Sequence, residues 1–70
     1  MALMWKKVIY RDKSDNNKRK CEWFEIKGSR NKSGLTIDKR SEYDSINFMR
    51  QDHVDYLGSF YHDERKENDE

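Results

Sequence analysis

This sequence lacks most of the residues on which disulfide, zinc and membrane-spanning architectures depend. It has no proline, and Cys21 is its only cysteine. One cysteine can build neither a disulfide framework nor a thiolate zinc site, so we expect a reducing, intracellular location, the cytoplasm. No apolar run approaches the length of a membrane span or of a signal-peptide core, so we expect no membrane contact.

Candidate catalytic and metal-binding groups are equally scarce. His53 and His62 are the only histidines. If both lay on one helix, their spacing would place them on nearly opposite faces, too far apart to share a metal ion. We interpret His53 as a solvated residue among acids and Cys21 as a small buried hydrophobe. The sequence therefore predicts no enzyme activity, no catalytic residue, no metal site and no cofactor.

Charge, in contrast, is abundant and divided by position. Residues 1–40 hold twelve of the fifteen Lys and Arg against five acids, a formal +7, whereas residues 41–70 are formally −6. The total of +1 hides this division. If the two regions form separate surfaces, the molecule is strongly dipolar and docks in a preferred orientation on a charged partner.

The chain is long enough for one small domain. Its 70 residues limit the size of the core, but large aromatic side chains provide buried area although 41% of the residues are charged. We find no internal repeat and no boundary signal. We therefore assign residues 1–64 to a single small domain and residues 65–70 to a flexible, acidic C-terminal tail.

Two strands and a polar loop predict a long β-hairpin near the N-terminus. Leu3–Arg11 and Lys20–Gly28 are rich in β-branched and aromatic residues. The run between them, Asp12–Arg19, is polar and contains Asn and Asp turn formers. Neither strand has a cleanly apolar face, so the pattern leaves open which side is buried. A short third strand is predicted at Leu35–Asp38.

The chain that follows has two interpretations. In the first, Ser41–Asp44 is a capping box that opens a helix through most of the remainder. In the second, which we favour, Ser45–Arg50 is a fourth strand and Asp52 caps a C-terminal helix. The apolar stripe of that helix would consist of Val54, Leu57, Tyr61 and the adjacent Phe60. The predicted fold class is α+β, a small antiparallel sheet of three to four strands with one C-terminal helix.

Aromatic residues set among charges favour a binding protein over an enzyme, because aromatic side chains dominate the energetics of protein interfaces. We expect a small, non-enzymatic regulatory protein, an accessory factor of the inhibitor type, that contacts a larger protein or complex. Short, highly charged chains of this kind are typical of accessory regulators, including those of phages. The expected protein-binding residues are Trp5, Trp23, Tyr56, Phe60 and Tyr61.

The alternative function is nucleic-acid binding through the basic hairpin. Proteins that bind single strands combine cations along the phosphate backbone with ring faces for base stacking, often on an antiparallel sheet. The residues expected to do this are Lys6, Lys7, Tyr10, Lys18, Arg19 and Lys20. A homodimer is a further expectation, because an edge strand and opposite charges on the two halves both favour self-pairing.

Overall fold

A computed structural model describes residues 3–65 of the chain. The elements, in chain order, are strand β1 (Leu3–Asp12), strand β2 (Lys18–Asn31), strand β3 (Gly34–Ile37), a 3₁₀ turn (Lys39–Glu42), helix α1 (Tyr43–Met49) and strand β4 (Val54–His62). The sheet order is β3-β2-β1-β4, and each neighbouring pair is antiparallel. The predicted small antiparallel sheet, with one short helix in the described residues, is confirmed.

The β1–β2 hairpin forms as predicted, and its turn is fixed by side chains. Asn16 and Asn17 have φ angles of 56° and 58°, in the left-handed region that asparagine tolerates. The Asp12 carboxylate accepts hydrogen bonds from the Lys20 ammonium and from the backbone N–H of Ser14, both at 2.9 Å. The bond from Lys20, followed by that from the Ser14 hydroxyl, lowers the pKa of Asp12 to about 2.

One side of the sheet is covered by α1 and carries the core. Side chains alternate between the two sides of a strand, so Met4, Val8 and Tyr10 of β1 share a side with Ile26 of β2. All four are buried. Phe48 of α1 packs against this side, with its ring centroid 4.9 Å from that of Tyr10 in an edge-to-face arrangement. We call this side of the sheet the covered side.

The predicted C-terminal helix is wrong, because residues 54–62 form β4 and pair with β1. The predicted strand at Ser45–Arg50 is also wrong, since the chain is helical through Met49. Tertiary pairing explains both errors. The Val-, Tyr- and Phe-containing β4 supplies the second neighbour of central β1, and Gly58 would have cost a helix about 1 kcal/mol relative to alanine.

The helical segment begins close to where the less favoured interpretation placed it. The Asp38 side chain caps the 3₁₀ turn by accepting a hydrogen bond of 3.1 Å from the backbone N–H of Arg40. Helix α1 begins at Tyr43, directly after this turn. It ends after seven residues, at Met49, instead of continuing through the rest of the chain.

A β-bulge interrupts the pairing of β4 with β1. Ile9 pairs with Gly58, but the next residue, Tyr10, pairs with Tyr56, so Leu57 is the additional residue on β4. A bulge changes which side each residue faces. Tyr56 therefore shares the covered side with Ser59, three residues later, and their hydroxyls hydrogen-bond at 2.9 Å.

The two oppositely charged parts of the sequence interleave in the fold. Strand β4, from the acidic part, lies beside β1, from the basic part. The Lys6 ammonium lies 3.3 Å from the Glu42 carboxylate, and the Arg30 guanidinium lies 3.5 Å from that of Asp63. The expected separation of the two parts into distinct surfaces therefore does not hold for these residues.

The predicted tail, residues 65–70, falls largely outside the described part of the chain, which ends at Arg65. Arg65 is exposed. Within residues 3–65, no helix has the length and apolar character needed to cross a membrane.

Candidate binding face

The second side of the sheet is the candidate functional surface. The 3₁₀ turn and α1 contact the covered side, through Glu42, Ser45 and Phe48. On the other side, large apolar residues such as Leu3 and Phe60 remain 57% and 55% exposed. Large apolar residues grouped on an exposed surface mark interaction sites in small soluble proteins.

We call this surface the open face and define it from the strand register. Its residues are Leu3, Trp5, Lys7, Ile9 and Arg11 of β1; Arg19, Cys21, Trp23, Glu25 and Lys27 of β2; and Asp55, Leu57, Gly58, Phe60 and His62 of β4.

Aromatic rings form a band across the middle of the open face. Trp23 and Phe60 are the two cross-strand partners of Lys7, on either side of it. Two residues further along the strands, His62 is the cross-strand partner of Trp5. The ring centroid of His62 lies 5.3 Å from that of Trp23. Cross-strand neighbours of this kind are close enough for their side chains to pack together. The band therefore joins rings from all three long strands.

Cations lie directly against the two indoles. The Lys7 ammonium is 5.6 Å from the centroid of the Trp23 ring, and the side chain of Lys7 is almost completely buried. The Arg65 guanidinium is 5.6 Å from the centroid of the Trp5 ring. Both distances fit cation–π interactions, which orient the indoles and occupy part of their ring faces.

An open hollow lies beside the ring band. Its lining consists of an apolar part, Ile9, Leu57, Gly58 and Phe60, and of the two arginines Arg11 and Arg19. The bulge is responsible for this hollow, because it places Leu57 on the same side as Gly58. Leu57 is 47% exposed, so its side chain is available to a partner.

Positive charge lies at both ends of the open face. Arg11 and Arg19 are cross-strand partners at one end, and Lys27 lies opposite Leu3 at the other. The strand length between these ends is about 26 Å at 3.3 Å per residue. The acids that share the face are Glu25 and Asp55. The face therefore combines an apolar, aromatic centre with a positively charged periphery.

The structure brings together three of the five residues predicted to bind protein. Trp5, Trp23 and Phe60 lie on the open face. Tyr56 is 48% exposed but lies on the covered side. Tyr61 also lies on the covered side, where its hydroxyl donates a hydrogen bond to the Glu42 carboxylate.

The residues predicted to bind nucleic acid do not form one surface. Lys6 and Tyr10 are buried on the covered side. Lys20 forms ion pairs with two carboxylates of the hairpin turn. Lys18 and Arg19 are both exposed but point to opposite sides of β2. Lys7, the remaining residue of this set, is buried, and its ammonium lies against the Trp23 ring.

A buried polar cluster beneath α1 was not predicted from the sequence. Lys6, which is 5% exposed, donates hydrogen bonds to Ser45 at 3.1 Å and to Glu42 at 3.3 Å. Tyr61 donates to the same Glu42 oxygen. Burial, followed by this hydrogen bond, raises the pKa of Tyr61 to about 12. The cluster joins β1 and β4 to the helical segment and has a structural role.

The open face also carries the chain's cysteine and one of its histidines. Cys21 is half-exposed and lies opposite Ile9. His62 packs on Trp23, whereas His53 packs near Phe48, with ring centroids 6.4 Å apart. Within residues 3–65, no three His, Cys, Asp or Glu side chains are grouped closely enough to hold a metal ion.

Comparison with known proteins finds no matching family model, no matching curated protein and no matching solved structure.

Proposed function

We propose that this is a binding protein, and that its open face docks on a partner protein whose surface has an apolar centre and an acidic rim. The observation that supports this proposal is the ring band of the open face, flanked by cations at both ends. Tryptophan and arginine are the residues most enriched among those that dominate binding energy at protein interfaces.

The exposure of the rings favours a protein partner over stacked bases. A stacking platform needs free ring faces, one for each base. Trp23 already contacts Lys7 and His62, and Trp5 contacts Arg65. Among the residues that supply rings to this band, Phe60 is more than half exposed, whereas Trp5 and Trp23 are partly buried. The hollow beside it, lined by apolar residues and two arginines, suits an inserted side chain, which is how protein partners anchor.

Charge specifies the periphery of the partner. Arg11, Arg19 and Lys27 lie at the ends of the open face, whereas Glu25 and Asp55 are its acids. Complementary charge accelerates association and selects orientation. We therefore expect acidic residues on the partner, positioned to face the arginine pair beside the hollow.

The native thiol of Cys21 lies on the open face and allows a direct cross-linking test that needs no substitution in the labelled chain. Cys21 is the single cysteine, so a maleimide photo-crosslinker attaches there alone. The control is the Cys21→Ser, Asn47→Cys variant, which moves the label to an exposed position on α1. Illumination in a lysate of the source cells is expected to give a discrete adduct from Cys21 that the control does not give.

The adduct partner is then identified by mass spectrometry, purified and titrated with two charge-reversal variants. Arg19→Glu changes the open face, and Lys18→Glu makes the same change in net charge on the opposite side of the same strand. We expect Arg19→Glu to weaken binding about tenfold or more and Lys18→Glu to change it little. Equal effects of the two variants would overturn docking through the open face.

Oligonucleotides test the alternative function, nucleic-acid binding, on the wild type and on the Arg19→Glu and Lys18→Glu variants. Single- and double-stranded oligonucleotides are titrated at low and high salt while the fluorescence of Trp5 and Trp23 is recorded. Micromolar binding that quenches the indoles and weakens steeply with salt would replace the protein partner by a nucleic acid. The proposal requires that no such binding be observed.

A further inference from the structure

We propose that β4 pairs antiparallel with β4 of a second copy of this chain, which joins the two four-stranded sheets into one. The pairing uses the outer edge of β4 and does not depend on the function proposed for the open face. Homodimers with two-fold symmetry use one surface patch twice, so the patch must be complementary to itself.

Apart from its bulge and Asp55, the outer edge of β4 lacks the side chains that usually prevent strand pairing. β4 is the last strand in the sheet order, and no strand among residues 3–65 lies on its outer side. The nine residues of β4 include no lysine, arginine or proline. Exposed edges are usually protected by such residues. β4 instead exposes large apolar side chains, those of Tyr56, Leu57 and Phe60.

The opposite edge of the sheet is protected in the usual way. β3 covers β2 only from Gly28 to Asn31. The part of β2 that β3 leaves uncovered has cations near both of its ends, Lys18, Arg19, Lys20 and Lys27. Lysine and arginine on an edge discourage pairing with another chain. β4 is therefore the edge that is chemically suited to a second copy.

The bulge restricts the register of this pairing. Residues paired across regular antiparallel strands point to the same side of the sheet. On the N-terminal side of the bulge, Asp55 and Leu57 face the open side; on the C-terminal side, Phe60 and His62 do. Two positions of the two-fold axis pair residues that face the same side on both flanks of the bulge. One lies between Leu57 and Gly58, and the other between Gly58 and Ser59.

Chemical complementarity selects the axis between Gly58 and Ser59. That register places Leu57 opposite the second copy's Phe60, and Asp55 opposite its His62. The covered side then pairs Tyr56 with Tyr61. In this register Gly58 and Ser59 pair at the centre although they point to opposite sides of the sheet. They are the two smallest residues of β4, so the mismatch displaces little side-chain volume. The competing register has no mismatch in facing, but it would place the Asp55 carboxylate opposite an exposed phenylalanine ring, which is a poorer contact.

Sedimentation over a concentration series tests the pairing. We expect the 8.6 kDa chain to form a dimer at increasing concentration. Leu57→Glu and Phe60→Lys should each weaken the dimer about tenfold or more, because each change occurs twice in the interface. A 1:1 mixture of the two variants should recover a dimer, since glutamate then faces lysine once and leucine faces phenylalanine once.

The same variants distinguish the two registers. In the competing register, Phe60→Lys would place lysine opposite Asp55 and strengthen the dimer; this result would overturn the proposed axis. A chain that stays monomeric up to about 1 mM would overturn the pairing itself. The control Tyr43→Glu, at an exposed residue of α1, should leave the dimer unchanged.

Cross-linking supplies a measurement that reports the register directly. In a Cys21→Ser background, Leu57→Cys and Phe60→Cys chains are mixed and oxidised. The proposed register brings the two thiols opposite each other, so a disulfide should form rapidly between unlike chains and slowly between like chains. Equal rates for like and unlike chains would contradict the proposed axis.

Discussion

The buried Lys6–Glu42 pair offers the sharpest test of how this small sheet is held together. Lys6 is 5% exposed and its ammonium lies 3.3 Å from the Glu42 carboxylate. Replacing Glu42 by glutamine removes the negative charge but keeps an oxygen that can accept the hydrogen bond from Tyr61. The variant therefore isolates the effect of leaving a buried ammonium without its counter-charge.

We expect Glu42→Gln to lower the free energy of unfolding by about 3 kcal/mol. Breaking a buried ion pair from one side costs roughly 3–5 kcal/mol. The lower end applies because the Glu42 side chain is 18% exposed and because Lys6 keeps its hydrogen bond to Ser45. A chain of this length has a total stability of roughly 3.5–10 kcal/mol, so the variant should be close to unfolding.

The assay is urea denaturation followed by tryptophan fluorescence, with two companion variants. Lys6→Met together with Glu42→Gln should recover most of the loss, because the unpaired charge is then removed as well. Glu25→Gln, an exposed acid of the open face, should change stability by less than about 0.5 kcal/mol. A cost below about 0.5 kcal/mol for Glu42→Gln alone would refute the burial argument.

Three further predictions concern packing, close approach and pH. Phe48→Ala should cost about 3 kcal/mol in urea denaturation, because its ring packs on the covered side, whereas the exposed Tyr43→Ala should cost less than about 0.5 kcal/mol. Gly28→Ala should lower the melting temperature markedly, since its methyl group would lie 2.8 Å from a backbone oxygen of β3; Gly58→Ala, with its nearest atom at 4.0 Å, should not show this loss. Asp12 has a pKa of about 2 in the fold against 3.8 as its ordinary value, so it stabilises the fold above pH 3.8 and this contribution disappears as the pH falls through about 2. Stability measured against pH should therefore fall less steeply across that interval in Asp12→Asn than in the wild type.

The N-terminal half of the fold follows from local sequence signals, and the C-terminal half does not. The hairpin is recognisable because its strands are rich in β-branched and aromatic residues and its turn is polar. In residues 45–62 the local signals mislead. Asp52 resembles a helix cap, and Ile46 and Phe48 alternate as in a strand. What decides the outcome is the pairing of β4 with β1, a contact between distant parts of the chain that no local pattern contains.

The candidate site was predictable by residue type but not by side. Trp5, Trp23 and Phe60 were expected as binding residues, and all three lie on the open face. Tyr56 and Tyr61 were expected beside them and lie on the covered side. The facing of each residue in β4 depends on register and on a single-residue bulge, and a shift of one residue exchanges the two sides.

Although charge is divided by position along the sequence, the fold matches cations to acids differently on the two sides of the sheet. On the covered side, Lys6 and Lys20 are matched by carboxylates within 3.3 Å. On the open face, the cations outnumber Glu25 and Asp55. Neighbouring residues of one strand therefore differ in electrostatic role although they carry the same charge. It follows that the salt dependence of binding to the proposed partner protein should change with Arg19→Glu and not with Lys18→Glu.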